Sequence, residues 1–405
     1  MKVALITIGN ELLSGFTVDT NAAWIGQELL KVGAQVAVHH TIGDDKSQII
    51  AMLDATYRNV DAVIVTGGLG PTHDDVTPSA FYSYFQSKPV FDSEYWEQLR
   101  NRFSKANYNI PEINRNQAFR PHNGEVIPNP VGSARGLHYR KEHCHLFALP
   151  GVPKEMKSMM TETVLPWFES RMTTTFRVRT IRTTGIPESA LAEKIRPVLS
   201  RETVCRIAFL PQLTGVDIRL FCDEEEALAR QEKAIVSGIK KYIYGYDKQT
   251  IEETVGRLIT DKGYTIATAE SCTGGLLGHR ITNVPGSSKY FRGGVVAYSN
   301  VVKEKLLGVK PGTLNRHGAV SEETALEMAR GVQSLLAADI GVSITGIAGP
   351  AGGTPEKPVG LAYVGVAVRE ETIVKKFRFT RDREGNKLLS SQAALNMIRK
   401  ALQDE

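Results

Sequence analysis

The sequence is poor in cysteine, and its few cysteines are not spaced to bind metal. The 405 residues include only four, at Cys144, Cys205, Cys222 and Cys272, and no two of them form a CxxC pair. This spacing argues against the common zinc sites and against a disulfide framework. We therefore expect reduced thiols.

The sequence also lacks a hydrophobic run of the ~20 residues that a membrane-spanning helix needs. The longest such stretch, residues 359–368, is strand-like and interrupted by glycine. The apolar stretch within the first nine residues is too short for a signal peptide and runs directly into a predicted strand. We therefore expect a cytoplasmic location and no membrane partner.

A large excess of charge of one sign is absent as well. The chain has 49 basic and 44 acidic side chains, mixed along its length, and a net charge of +5. This balance falls short of the concentrated basic patch of a nucleic-acid-binding protein, so small anionic molecules are the expected partners. Hydrophobic residues make up 42% of the chain, enough for sizeable cores, and the length predicts two or three domains.

Strand and helix patterns predict an α/β fold in two large domains joined by a connector. Residues 1–170 predict a doubly wound, mostly parallel sheet, residues 171–249 a small α+β connector, and residues 250–405 a second α/β domain. The predicted strands cover residues 3–8, 35–41, 62–66, 145–149, 176–183, 204–210, 216–222, 264–268, 293–298, 340–345 and 361–368. The predicted helices cover residues 21–31, 46–58, 154–168, 188–199, 224–241, 301–307, 322–337 and 386–402.

A segment rich in hydroxyls and glycine follows the strand predicted at 264–268. It contains Ser271, Thr273, Gly274 and Gly275 at the start of a helix. Unpaired amides and the positive end of a helix can stabilise a developing anion there, and the glycines let a substrate approach the backbone. The alternative is a simple helix cap, which would be favoured if this segment stood alone.

A serine nucleophile needs a base, and the histidines of this domain are poorly placed to serve. His279 lies within a predicted helix and His317 in a loop. Lys303 is the better candidate, because residues 298–303 follow a strand and begin a helix at the same sheet edge. Burial and nearby positive charge would favour its neutral amine. The alternative is an ordinary solvated lysine.

A third loop, residues 345–353, follows another strand and contains four glycines in nine residues. Its backbone amides could bind phosphate, which Arg381 or Arg383 could neutralise. The alternatives are a flexible loop and solvated surface charge. Three polar strand exits in one domain favour a shared ligand cleft.

The N-terminal domain has a comparable loop after the strand predicted at 62–66. Ligands collect at the carboxyl edge of a parallel sheet, glycines allow close approach to phosphate, and carboxylates bind a divalent ion that bridges a pyrophosphate. Each segment alone is equally well explained as a turn, but together they favour a site. The candidate phosphate-binding and metal-ligating residues are Gly67, Gly68, Gly70, Asp74, Asp75 and Glu11.

Three C-terminal segments, residues 270–275, 297–300 and 345–350, together resemble the C-terminal domain of the CinA competence/damage-inducible family. In that family the domain is a nicotinamide-nucleotide amidase, which converts nicotinamide mononucleotide to nicotinate mononucleotide and ammonia without a cofactor. The resemblance implies that Ser271 attacks the amide carbon, Lys303 takes its proton and Tyr298 orients the pair or shares proton transfer. It favours Ser271 over the neighbouring Cys272 as the nucleophile, with an acyl-enzyme intermediate.

The resemblance also places substrate-binding residues around this pair. It implies that Thr345, the adjacent Gly346 and Gly349, and Arg383 lie near the phosphate or ribose of the nucleotide.

The N-terminal half also resembles the CinA family, whose N-terminal domain is similar to the molybdopterin-binding domain of molybdenum cofactor enzymes. In some members this domain hydrolyses ADP-ribose at its pyrophosphate with a metal ion. The resemblance implies a divalent metal, Mg²⁺ or similar, with a monovalent cation as a further candidate, and a homodimer. The sequence departs from the family pattern at Asp19, where asparagine is common, and at Arg135, where proline is expected. Residues 149–156 match as well, and Glu155 there is either a ligand or a helix-start acid.

Two classes of function follow from these patterns. The first is an enzyme that acts on small nucleotides, nicotinamide mononucleotide and ADP-ribose. The second is a binding or regulatory module for pterin-like ligands or for proteins acting on DNA, with both clefts catalytically silent. The set of Ser271, Tyr298 and Lys303 favours the enzyme, because a binding module does not need it.

Overall fold

The computed structural model describes residues 1–105, 107–172, 176–199 and 205–403, and the chain divides into two compact units, Met1–Arg177 and Val178–Glu405. The strand predicted at 204–210 begins at Val204, which lies outside the described residues. Among the helices of the described ranges, none is both long and apolar enough to cross a membrane.

The first unit is an α/β domain. Its strands are β1 (Lys2–Ile8), β2 (Gln35–Ile42), β3 (Ala62–Thr66), β4 (Pro89–Phe91), β5 (Phe119–Pro121), β6 (Glu125–Ile127), β7 (Gly136–Lys141) and β8 (Cys144–Leu149). Its helices are α1 (Asn10–Leu13), α2 (Thr20–Lys31), α3 (Lys46–Thr56), α4 (Thr77–Tyr84), α5 (Ser93–Lys105), α6 (Pro153–Met159) and α7 (Leu165–Glu169).

A six-stranded sheet in the order β2-β1-β3-β8-β7-β6 forms the centre of this unit, and β4 pairs with β5 in a separate two-stranded sheet. The pairs β1–β2, β1–β3 and β3–β8 are parallel, whereas the pairs β8–β7 and β7–β6 are antiparallel. The prediction of a mostly parallel α/β sheet is confirmed. Because β1, β3 and β8 run the same way, the loops that follow them meet at one edge.

Both faces of this sheet are covered, as the alternation of side chains along β1 requires. Ile6 packs with Leu53 and Phe81 on one face, and Leu5 packs with Ile25 and Met156 on the other. The helix predicted at 154–168 is interrupted, since a π-helical turn at Met160–Val164 separates α6 from α7.

The second unit contains two sheets. Its strands are β9 (Arg177–Thr183), β10 (Arg206–Gln212), β11 (Gly215–Cys222), β12 (Ile243–Tyr246), β13 (Ile266–Glu270), β14 (Phe291–Val296), β15 (Ile340–Gly346), β16 (Leu361–Val368) and β17 (Glu371–Arg378). Its helices are α8 (Glu188–Leu199), α9 (Glu225–Ile239), α10 (Ile251–Asp261), α11 (Leu276–Thr282), α12 (Asn300–Leu307), α13 (Pro311–His317), α14 (Glu322–Leu335) and α15 (Arg383–Gln403).

A four-stranded sheet, β10-β11-β9-β12, precedes a five-stranded sheet, β14-β13-β15-β16-β17. In the larger sheet β13 pairs in parallel with both β14 and β15, so Glu270 lies opposite Val296 on one side and Ile344 on the other. The loops after β13, β14 and β15 therefore leave the sheet at one edge. These are the loops that carry the C-terminal sequence motifs.

Helix α15 links the two sheets of this unit through a buried arginine. Arg399 is 1% exposed, and its guanidinium donates to the carbonyls of Ile243 and Lys241 at 2.9 Å each. Both carbonyls belong to the chain that forms or leads into β12. Arg399 also donates to the side chains of Asn396 and Gln403 on α15, so its acceptors come both from its own helix and from backbone outside the five-stranded sheet.

Candidate active site

The loops after β13 and β14 bring a serine and a lysine together at the edge of the five-stranded sheet. Ser271 directly follows β13, and Lys303 lies in the first turn of α12, which Ser299 caps by accepting a hydrogen bond from the Val302 amide. Lys303 Nζ lies 3.1 Å from Ser271 Oγ. The two residues predicted as base and nucleophile are therefore within hydrogen-bonding distance.

Lys303 is 1% exposed, which is unusual for a lysine. Its Nζ donates a hydrogen bond of 2.7 Å to the carbonyl oxygen of Ala297 and otherwise faces Ser271. Burial lowers the pKa of the Lys303 amine below its ordinary value, against a smaller opposing effect from Cys272. The amine is thus shifted toward the neutral form, which can accept a proton. Burial is the cause of this shift, and among the described residues the nearby positive charge predicted from the sequence does not contribute to it.

Cys272 is adjacent to Ser271, but its environment suppresses thiolate formation. The side chain is buried, and burial raises the pKa of the thiol to about 11. A thiol with this pKa remains protonated at neutral pH, and the thiolate is the nucleophilic form of cysteine. Ser271 Oγ, by contrast, lies within hydrogen-bonding distance of Lys303 Nζ.

The amides at the start of α11 are not free to stabilise a developing anion, contrary to the prediction. Glu270 is 1% exposed, and its carboxylate accepts hydrogen bonds from the amides of Gly275, Leu277 and Gly278 at 3.1, 3.0 and 2.8 Å. A buried carboxylate thus occupies the positive end of the helix. Gly275 caps this helix at a φ of +98°, a conformation that disfavours other residues.

Tyr298 is 62% exposed and contacts a different partner from the one predicted. Its hydroxyl accepts a hydrogen bond of 3.1 Å from Arg383, and among the described residues it bonds to neither Ser271 nor Lys303. Arg383 also donates 2.6 Å to the carbonyl of Gly349 in the third loop. Tyr298 and Arg383 therefore connect the second and third loops, and a role for Tyr298 in orienting the catalytic pair is not supported.

Thr345 and Thr273 are both fully buried. The Thr345 hydroxyl donates a hydrogen bond of 2.6 Å to the carbonyl of Ala319, so that proton is already used within the protein. A position of Thr345 near the nucleotide stays a prediction. The Thr273 hydroxyl, by contrast, has no hydrogen-bond partner within the described part of the chain. Gly346, at the end of β15, is packed against the backbone of Leu361.

Two further residues of α15 belong to this site and were missed from the sequence. Asn386 is 2% exposed and donates to the carbonyls of Ala348 and Arg381, which fixes the third loop to the helix. Lys387 Nζ lies 4.0 Å from the point where a β-carbon on Gly274 would stand. Arg383 and Lys387 are four residues apart, so they share a helix face, and this spacing is the signal that could have identified Lys387.

The N-terminal glycine loop lines a cleft of about 500 Å³ at the carboxyl edge of the six-stranded sheet. Gly67 makes the tight exit from β3, with a φ of +114° and no room for a β-carbon against the Ile8 carbonyl. All six predicted N-terminal site residues line this cleft, namely Gly67, Gly68, Gly70, Asp74, Asp75 and Glu11. Glu155 lines it as well.

The acidic residues of this cleft do not form a ready metal site. The Asp75 carboxylate accepts hydrogen bonds from the Gly70 amide and from both the amide and the hydroxyl of Thr72, so it braces the loop. Asp74 pairs with His73 at 2.9 Å on the surface. In the ranges that the structure describes, no three His, Cys, Asp or Glu side chains come together to hold a metal ion. Within those ranges the residues do not make up a preformed site for the predicted divalent ion, which stays a prediction.

Three family models match successive parts of the chain. They are described as a probable molybdopterin binding domain over residues 4–170, a damage-inducible protein CinA KH domain over residues 178–245 and a CinA C-terminal domain over residues 248–402.

The chain is also similar to curated proteins over its whole length. A putative competence-damage inducible protein of Caldanaerobacter subterraneus is 40% identical over 407 residues, which cover 100% of this chain and 99% of the relative. A CinA-like protein of Salinibacter ruber is 41% identical over 412 residues, which cover 99% of this chain and 100% of the relative. A crystal structure of a competence/damage inducible protein from Agrobacterium tumefaciens is 42% identical, covers 38% of this chain and 95% of its own, and has a TM-score of 0.36.

Proposed function

Because this chain belongs to the CinA family, we propose that its C-terminal domain hydrolyses the carboxamide of nicotinamide mononucleotide to nicotinate mononucleotide and ammonia. The observation that carries the proposal is the 3.1 Å contact between the Ser271 hydroxyl and the buried Lys303 amine. A lysine that acts as a base must be neutral, and burial favours the neutral amine. A lysine that only carries charge on the surface has no such requirement.

In the first half of the reaction, the neutral amine of Lys303 takes the hydroxyl proton as Ser271 Oγ attacks the carboxamide carbon. The resulting oxyanion would accept hydrogen bonds from the backbone amides of Cys272 and Thr273, which do not donate to Glu270. The Lys303 ammonium then donates its proton to the leaving nitrogen. Ammonia departs and leaves an ester between Ser271 and the nicotinoyl group.

In the second half, water attacks this ester with Lys303 again as the base. The carbonyl carbon gains the water oxygen, the bond to Ser271 Oγ breaks, and the proton returns to the serine. The products are nicotinate mononucleotide and the free enzyme. The substrate phosphate would lie near Arg383 and Lys387, which share one face of α15 beside the glycine loop.

A direct test measures ammonia release from nicotinamide mononucleotide by the wild type and by Ser271→Ala and Lys303→Met. We expect each variant to lose activity by at least about three orders of magnitude, since members of a catalytic pair act as a unit. Lys305→Met is the matched control, because Lys305 is an exposed lysine of the same helix. Cys272→Ala should keep most of the activity.

Full ammonia release by Ser271→Ala would remove the assigned nucleophile. Equal losses of ammonia release in Lys303→Met and Lys305→Met would show that activity depends on the positive charge of the helix and not on the buried amine. A wild type that releases no ammonia would favour the binding or regulatory module instead.

For the N-terminal domain we propose a nucleotide site whose pyrophosphate lies on the glycine loop. The supporting observation is that all six predicted residues line one cleft of about 500 Å³. We expect the wild type to bind ADP-ribose and Asp75→Ala to bind it weakly, because the loop loses the acceptor for three hydrogen bonds. Calorimetric titration measures the binding, and chromatography with and without Mg²⁺ measures cleavage. Undiminished binding by Asp75→Ala would contradict the proposed site.

A further inference from the structure

A cavity of about 560 Å³ lies within the second unit, and no residue assigned to the Ser271 site lines it. The turn after β9, at residues 184–187, and the β10–β11 hairpin, at residues 211–216, form one part of its lining. The end of β17 and one face of α15 form the other part. A cavity of this volume at the junction of two sheets is typical of sites that bind small organic molecules.

Hydrogen bonds hold the two parts of the lining together. Gln392 of α15 is 5% exposed, and its Oε1 accepts a hydrogen bond of 2.7 Å from Arg280. Its Nε2 donates 3.2 Å to the Thr184 hydroxyl, which in turn donates 2.7 Å to the carbonyl of Thr214. These bonds join α15 to both the turn and the hairpin. The cavity is therefore preformed.

Asn396 presents an oriented donor to this cavity. Its Oδ1 accepts hydrogen bonds of 3.2 and 2.8 Å from the buried Arg399 guanidinium, which fixes the side-chain amide. Its Nδ2 lies 3.0 Å from the point where a β-carbon on Gly185 would stand, and Gly185 lines the cavity at a φ of +75°. An NH₂ group held in this way suits a hydrogen-bond acceptor such as a carboxylate oxygen.

The rest of the lining combines an aromatic wall with a small excess of positive charge. The rings of Phe377 and Phe379 are stacked, with their centres 5.8 Å apart and their planes within 9°. Among the described residues that line the cavity, Lys375 and Lys400 are basic and Glu188 alone is acidic. This combination favours a ligand with an apolar body and a negative charge.

The two lysines lie at one end of the cavity. Both also line an adjoining cavity of about 240 Å³, which includes Glu371 but no residue of the turn or the hairpin. Glu188 belongs to the opposite part of the lining, at the start of α8. An anionic group is therefore best placed beside α15 and β17.

We propose that this cavity binds a small organic carboxylate whose body is aromatic or otherwise apolar. The body lies against Phe377 and Phe379. The carboxylate accepts hydrogen bonds from the Asn396 amide and pairs with Lys400 or Lys375. Asn396 and Lys400 are four residues apart on α15, so they share one face of that helix. This site is separate from the two nucleotide sites and does not depend on either activity.

The test compares two probes that share a ring system and differ in charge. Isothermal titration of the full chain with 2-naphthoate and with 2-naphthylmethylammonium measures both affinities. We expect 2-naphthoate to bind at least about tenfold more tightly, because the cation meets two like charges at the end of the cavity that receives the anion.

Three substitutions of exposed residues locate the binding. Lys375→Met should weaken 2-naphthoate binding about three- to fivefold, as the loss of a solvent-accessible ion pair does. Glu188→Gln should strengthen it, because the substitution removes the acidic residue of the lining. Lys376→Met is the matched control, since this neighbouring lysine lines neither cavity, and it should change nothing. Urea unfolding of each variant verifies that it is folded.

Equal binding of the two probes, or no binding of 2-naphthoate, overturns the proposal. So does an affinity for 2-naphthoate that neither Lys375→Met nor Glu188→Gln changes, because the probe then binds elsewhere on the chain. An equal loss in Lys375→Met and Lys376→Met reports only the overall charge of β17 and overturns it as well. The ammonia assay is separate from all of these titrations, so their failure leaves the proposed amidase untouched.

Discussion

Burial favours the uncharged form of both titratable side chains next to Ser271. It raises the pKa of the Cys272 thiol to about 11 and lowers the pKa of the Lys303 amine. The first shift keeps the thiol protonated, and the second moves the amine toward the form that can accept a proton. One physical effect, the cost of placing charge in a low-dielectric interior, thus separates the roles of three neighbouring side chains.

The lowered pKa of Lys303 predicts how stability depends on pH. The unfolded chain binds a proton at Lys303 up to the ordinary pKa of 10.5, whereas the folded chain releases it at lower pH. Stability therefore rises with pH through the interval between the two pKa values and is level above it. The wild type should gain stability relative to Lys303→Met as the pH increases from neutral toward 10.5. Urea unfolding at a series of pH values measures the difference.

Lys305→Met again provides the control, because Lys305 is an exposed lysine of the same helix. A constant difference between wild type and Lys303→Met across the series would mean that the buried amine titrates at its ordinary pKa. The base proposed for the amidase would then be charged at neutral pH.

The start of α11 depends on a single carboxylate. Glu270→Gln keeps the size of the side chain but replaces one acceptor oxygen with an NH₂ group that faces amide donors. We expect a loss of about 1–3 kcal/mol in the free energy of unfolding, together with reduced amidase activity, because the Ser271 loop precedes this helix. Denaturant unfolding measures the first effect. Glu371→Gln, on an exposed edge strand, should change little, and an equally small effect of Glu270→Gln would contradict the role given to the carboxylate.

Element positions could be predicted from the sequence where a local pattern determines them. The strands at Ala62–Thr66 and Leu361–Val368 and the helix at Glu188–Leu199 have the predicted bounds. The two strands are short, nearly continuous apolar runs, and the helix repeats its apolar residues every three or four positions. Strand β13 was predicted at 264–268 but spans Ile266–Glu270, because the buried Glu270 is polar and so ended the hydrophobic pattern early. The edge strand β17 alternates exposed and half-buried residues and has too little apolar signal to be recognised.

In the candidate site, too, some features could be predicted from the sequence and others could not. The contact of Ser271 with Lys303 could be predicted because both follow neighbouring parallel strands, and such strands end at one edge. The role of Glu270 could not, because its three amide partners depend on how the helix turns back over the strand end. The position of Lys387 depends on α15, which is more than a hundred residues further along the chain.

The chain divides into two compact units, and the Ser271 site is built wholly from residues of the second. We therefore expect a fragment of residues 178–405 to fold and to release ammonia from nicotinamide mononucleotide at the rate of the full chain. Circular dichroism and the ammonia assay test this. An inactive but folded fragment would mean that the first unit contributes to catalysis.

Arg399 determines where a shorter expression clone can begin. A truncation that retains only the CinA C-terminal domain, from residue 248, deletes Lys241 and Ile243, the residues whose carbonyls bind this guanidinium. The truncated protein would keep the acceptors Asn396 and Gln403 on α15 itself but lose both of these backbone carbonyls, which favours local opening of the helix. For crystallisation or inhibitor screening, the first codon is therefore better placed at residue 178, where the second unit begins.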